Sequence, residues 1–158
     1  MGRYLVVANQ TLGGEPLMKE IRNRIAVGPS SFYVLVPAIP VSASFMEQLA
    51  HPEVGVPAET RTGLEQREET LRHRALMASE SRLSQLLTQI RAQGGEAQGD
   101  IGDTDPLKAI EAVMRSGAFD EVIISTLPLG VSRWLGLDVP HRVERRFKVP
   151  VTTVMGHA

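Results

Sequence analysis

Residues 121–125, Glu-Val-Ile-Ile-Ser, are the stretch on which the fold turns. Val122, Ile123 and Ile124 follow one another with no polar alternation. That pattern marks a strand covered on both faces rather than one half-exposed to water. Such a strand belongs in a parallel sheet between two layers of helices, so the rest of the chain must supply more strands and the crossovers between them.

Upstream, the chain does so. Arg3 to Ala8 (RYLVVA) is a second short apolar run, halted by the polar turn Asn9-Gln10-Thr11-Leu12-Gly13-Gly14. Glu15-Pro16 opens a helix, with proline tolerated in the first turn and an acidic residue near the positive end. Leu17, Ile21 and Ile25 give it one apolar stripe, and Gly28-Pro29 ends it. Ser31 to Val36 (SFYVLV) is the next strand, closed by Pro37 and Pro40. Residues 41–63 read as an irregular loop, a candidate lid, with a short helix near Phe45 to Leu49. From Leu64 to Gln93 a long helix is predicted, with Leu71, Ala75, Ala78, Leu86 and Ile90 on one face and Gly94-Gly95 as its stop.

Glu96 to Ile101 reads as a peripheral strand. Asp105-Pro106 reads as N-cap and first residue of a helix running to about Ser116, with Leu107, Ile110 and Met114 inward. Downstream of Ser125 come a long loop, a helix from Asp138 or Pro140 to Phe147, and a last strand, Pro150 to Met155. Strands and helices alternate throughout, which predicts an α/β Rossmann-like three-layer sandwich with a mostly parallel sheet, in a single domain spanning 1–158.

Composition agrees. The chain has 158 residues, 42% hydrophobic and 22% charged, with a formal net charge of −1 and no cysteine. A near-neutral chain has no global attraction to nucleic acid or membrane. Without cysteine there is no disulfide framework, thiol nucleophile or cysteine-ligated zinc. No apolar run reaches the ~20 residues of a membrane span and no leader is evident, so the expected location is the cytoplasm.

In an open parallel sheet, ligands sit outside the carboxyl ends of the strands, where strand order reverses. Two loops qualify: Asn9 to Gly14, and Ser125 to Leu137. Asn9, Thr11, Ser125, Thr126, Gly130, Ser132 and Arg133 are the candidate ligand residues. Hydroxyls, a glycine backbone and a guanidinium ahead of a helix suit a phosphorylated small molecule. The same residues also fit structural duties: Ser125 and Thr126 finish a strand, Gly130 permits a turn, Arg133 pairs with Asp138 and Trp134 fills a gap. Asp138 is expected to cap the following helix.

Other constellations are weaker. Asp100, Asp103 and Asp105 fit no calcium loop and are expected in turns and caps. His51, His73, His141 and His157 lack metal-ligand spacing. Ser125 or Ser132 with His141 lacks a nucleophile elbow and a third member. Arg142, Arg145, Arg146 and Lys148 make the last helix basic, which its C-terminal dipole favours; an acidic partner or nucleic acid is the lesser reading.

Arg3 to Thr11, the stretch Gly99-Asp-Ile-Gly-Asp-Thr-Asp-Pro-Leu107, and above all the tail Val139 to Val154 (VPHRVERRFKVPVTTV) resemble the universal stress protein family. That family lies within the wider nucleotide-binding group that includes electron-transfer flavoproteins. The resemblance implies a five-stranded sheet of order 3-2-1-4-5, a homodimer formed through the last strand (Val151 to Met155) and a role in stress response. ATP-binding members carry Gly-x-x-Gly, nine residues, then Gly-Ser/Thr. Here those positions fall on Ile124, Leu127, Leu137 and Asp138, and the family's aspartate after the first strand falls on Asn9. Pro128 has no amide hydrogen and the flanking leucines are bulky, so the usual close backbone approach to phosphate is lost. The resulting expectation is a non-catalytic regulatory or adaptor protein without standard ATP binding. The alternatives are an ATP or AMP binder with a variant loop and, behind it, an enzyme of phosphate-ester or nucleotide chemistry.

Overall fold

The first strand, β1 (Gly2–Ala8), buries Leu5, Val6, Val7 and Ala8 in succession and therefore needs partners on both edges and cover on both faces. A computed structural model supplies them; it describes residues 2–8, 14–38, 61–126 (61–68 as backbone) and 138–155. The elements in chain order are β1, α1 (Gly14–Val27), β2 (Ser30–Pro37), α2 (Arg61–Ala92), β3 (Glu96–Gly102), α3 (Pro106–Ser116), β4 (Glu121–Thr126), α4 (Val139–Phe147) and β5 (Val151–Met155). They form one parallel five-stranded sheet of order β3-β2-β1-β4-β5. This is the α/β Rossmann-like sandwich and strand order expected.

Strand alternation splits the core into two layers. Val6, Ala8, Phe32, Val34, Val36, Ile123 and Val154 pack against Leu17, Met18 and Ile21 of α1 and Leu86 and Ile90 of α2. Leu5, Val7, Leu35, Val122 and Ile124 pack against Ala109 and Ile110 of α3 and Val139 and Val143 of α4. Right-handed crossovers explain the division. The chain steps outward from β1 through β2 to β3 with α1 and α2 on one face, then returns to β4 and β5 with α3 and α4 on the other.

Several boundaries and stripes move. The loop expected to reach Gly63 ends earlier, since α2 begins at Arg61. In α2 the sheet-facing stripe runs through Ser79, Leu83, Leu86 and Ile90, while Leu71, Ala75 and Ala78 are only half-buried. Ser79 is tolerated there because its hydroxyl donates to Ala75 O at 3.0 Å within the helix. The short helix expected near Phe45 to Leu49 lies outside the described residues.

Local signals hold where they are strongest. Asp105 accepts from Leu107 N at 3.0 Å as N-cap, with Pro106 next. Gly94, at φ 96°, follows α2, and Gly94 N donates to Arg91 O at 3.1 Å. β3 is an edge strand with exposed and half-buried residues alternating, and β5 is the opposite edge. Gly99 lets β3 approach β2 closely: a Cβ there would lie 2.2 Å from Val34 O and 2.8 Å from Leu83 Cδ1. Among the described residues no helix is long and apolar enough to cross a membrane.

Candidate functional site

β1 and β4 are neighbours, with Ala8 opposite Ser125. The chain leaves β1 toward α1 on one face and leaves β4 toward α4 on the other. The helices that follow β1 and β4 lie on opposite faces, so the β1–β4 pair is the topological switch point of the sheet. Residues 9–13 and 127–137 connect these strands to those helices and lie outside the described residues. Of the predicted site residues, Asn9, Thr11, Gly130, Ser132 and Arg133 fall there.

Ser125 and Thr126 are described, and both are fully buried at the carboxyl end of β4. The pleat turns them to opposite faces. Ser125 stands in one row with Ala8 and Val154, on the α1–α2 side. Thr126 follows Ile124 toward the α3–α4 side. Ser125 Oγ has no hydrogen-bond partner, alone in this among the buried side-chain polar atoms of the described residues. A buried hydroxyl left unmatched costs about 1–3 kcal/mol relative to a matched one. Level with Ala8, the last residue of β1, that unmet capacity lies at the carboxyl edge of the sheet.

Asp138 corrects the sequence reading. It occupies the N-cap position of α4, but at φ 57° in the left-handed region, and its side chain makes no capping bond. Instead Asp138 Oδ1 lies 2.7 Å from His141 Nδ1, and Oδ2 lies 3.7 Å from Arg145 Nη2. The carboxylate is turned along the outside of the helix, toward His141 one turn on and Arg145 two turns on. His141 is thereby committed to Asp138, and no Ser125–His141 hydrogen bond forms.

The acidic trio is structural. Asp103 Oδ1 accepts from Asp105 N at 2.9 Å, Asp105 caps α3, and Asp100 Oδ1 accepts from Ile101 N at 2.8 Å. No metal-binding group of three or more His, Asp or Glu occurs among the described residues.

Sequence reasoning missed a cluster at the other end of the sheet. Glu121, the first residue of β4, receives Arg24 Nε at 2.9 Å and Arg24 Nη2 at 2.5 Å. Thr152 Oγ1 of β5 donates to Glu121 Oε1 at 2.6 Å, and Glu20 Oε2 lies 2.5 Å from Arg24 Nη1. Burial pushes the Glu121 carboxyl up, but the Arg24 and Thr152 hydrogen bonds and the Arg24 charge together hold it below its ordinary value. Only the Glu20–Arg24 spacing of four was visible in the sequence. The amino-terminal edge places this cluster away from the carboxyl edge of the sheet.

The chain is an α/β protein whose parallel sheet has its switch point between β1 and β4. No family model matches the chain, and no curated protein does. Solved structures do. Over 98% of its length the chain resembles the universal stress protein from Archaeoglobus fulgidus, at 12% identity, TM-score 0.58 and 93% coverage of that chain. Hypothetical protein MJ0577 aligns over the same share at 12% identity and TM-score 0.61, with 96% of it covered. A universal stress protein in complex with cAMP aligns at 14% identity and TM-score 0.52, with 97% of it covered. The fold is that of the universal stress proteins.

Proposed function

We propose that this chain is a universal stress protein-like regulatory protein that binds a phosphorylated small molecule at the β1–β4 switch point. The observation that carries this reading is Ser125: a fully buried hydroxyl without a partner, opposite Ala8 at the carboxyl edge. Asn9 and Thr11 on one connection, and Gly130, Ser132 and Arg133 on the other, are the further residues assigned to the ligand, with Thr126 at the base of the second loop. The similarity to a universal stress protein in complex with cAMP supports a small nucleotide as the ligand class. The Leu127-Pro128-Leu129 run in place of a glycine loop supports a pose that does not depend on amide contacts to a triphosphate.

Thermal unfolding with cAMP, AMP, ADP, ATP and inorganic phosphate tests this. A ligand at 100 times its Kd adds about 2.7 kcal/mol of stability, a readily measured rise in Tm. Stabilisation by cAMP or AMP above that by ATP supports the reading. Preference for ATP supports the variant-loop ATP binder instead, and no response to any of the five removes both.

The second part of the proposal is a homodimer through β5. It is an edge strand, and Met155 on it is 54% exposed. An open edge of this kind favours pairing with another chain. Sedimentation equilibrium should give a dimer, and Thr153→Pro, which removes an edge amide, should give a monomer.

A further inference from the structure

We propose that the groove between α3 and α4 is a docking site for an acidic peptide segment carrying an apolar side chain. It lies on the sheet face opposite Ser125 and does not rest on the ligand reading. The groove, of about 380 Å³, is lined by Leu107, Arg142, Arg145, Arg146 and Phe147. Leu107 and Phe147 are partly buried against the core and form an apolar floor. The three arginines follow at helical spacing on α4 and form its cationic wall.

The arginines are not equivalent. Arg146 is fixed, with Nη2 2.7 Å from Glu111 Oε1 and its guanidinium 5.8 Å from the Phe147 ring centroid. Arg145 Nε donates to His141 O at 3.4 Å and its Nη2 lies 3.7 Å from Asp138 Oδ2, and Arg142 has no carboxylate partner among the described residues. Among the described residues, Arg142 and Arg145 are thus the groove arginines without a close carboxylate, beside a floor that would accept an aliphatic or aromatic side chain. Dipole compensation accounts for positive charge at the end of α4 but not for the apolar floor beside it. Nucleic acid fits less well. Its affinity comes from many phosphate contacts, whereas among the described residues only Arg142 and Arg145 of the groove lack a close carboxylate, with Glu111 and Asp138 nearby.

The test uses the full chain and a fluorescein-labelled peptide of aspartate and glutamate flanking a Leu-Phe pair, followed by anisotropy. Binding should weaken roughly tenfold or more on going to ~1 M salt, where the Debye length falls to ~3 Å. Arg142→Glu/Arg145→Glu should raise Kd at least roughly tenfold, as expected when rim charges facing an anion are reversed. Replacing the peptide's Leu-Phe pair by Ser-Ser should also weaken it. Arg142→Glu alone, at an exposed residue, keeps the fold intact and should give part of the loss. Absence of binding, indifference to Arg142→Glu, or equal binding of the Ser-Ser peptide or of a single-stranded oligonucleotide would overturn the proposal.

Discussion

Arg24 and Glu121, 97 positions apart, meet as a two-point pair: Nε to Oε2 at 2.9 Å and Nη2 to Oε1 at 2.5 Å. The pair ties the last turn of α1 to the start of β4, and through Thr152 it reaches β5. Both side chains are largely buried, at 14% and 18% exposure, so neither charge can be left alone cheaply.

Arg24→Met should destabilise the fold by about 2–3 kcal/mol, the range for losing charged hydrogen bonds to a poorly hydrated partner. Adding Glu121→Gln should restore part of that loss, because the stranded carboxylate is then gone. Urea unfolding of the two single variants and the double variant gives the coupling directly.

Acid should remove the same contribution. The folded-state pKa of Glu121 lies below its ordinary value of 4.5. The stabilisation is therefore present above that value and is lost as pH falls through the lower, folded-state pKa. Urea midpoints between neutral pH and acid should fall less steeply for Glu121→Gln than for the unsubstituted protein.

Gly99→Ala should cost about 1–3 kcal/mol, as overpacking does, because its Cβ would meet the backbone oxygen of Val34. The neighbouring strand cannot swing aside as a flexible side chain would. Thermal unfolding should show a clear drop in Tm.

Lys148→Gly should stabilise by about 0.5–1 kcal/mol, since residue 148 closes α4 at φ 53°, a conformation glycine adopts without Cβ strain. The bond from its amide to Glu144 O is kept by any residue but proline. A higher urea midpoint with an unchanged slope would confirm this.

Ser125→Ala should leave the free protein as stable, or about 1 kcal/mol more so, because it removes an unmatched buried hydroxyl. The stabilisation by cAMP or AMP should shrink. Loss of stability without ligand would instead mean that the hydroxyl serves the fold.

Much of this structure was legible because it is local. The buried run at Val122 to Ile124, the cap at Asp105 and the stop at Gly94 each depend on residues a few positions apart, where periodicity and backbone preference decide. The two misses have the same source: sequence around residues 61–63 carries no clear start signal for α2, and Asp138 looks like any capping aspartate until its backbone adopts the left-handed region. The strand order was reached through family resemblance, since an apolar strand does not name its neighbours.

By itself, then, the sequence determined the alternation of strands and helices and the two loops from which a ligand site could be built. Tertiary structure alone decided that Ala8 faces Ser125, that Ser125 and Thr126 look to opposite layers, and that Arg24 finds Glu121. Those relations join residues far apart in the chain. They are set by strand register and helix packing, in which a shift of one residue exchanges the two faces of the sheet.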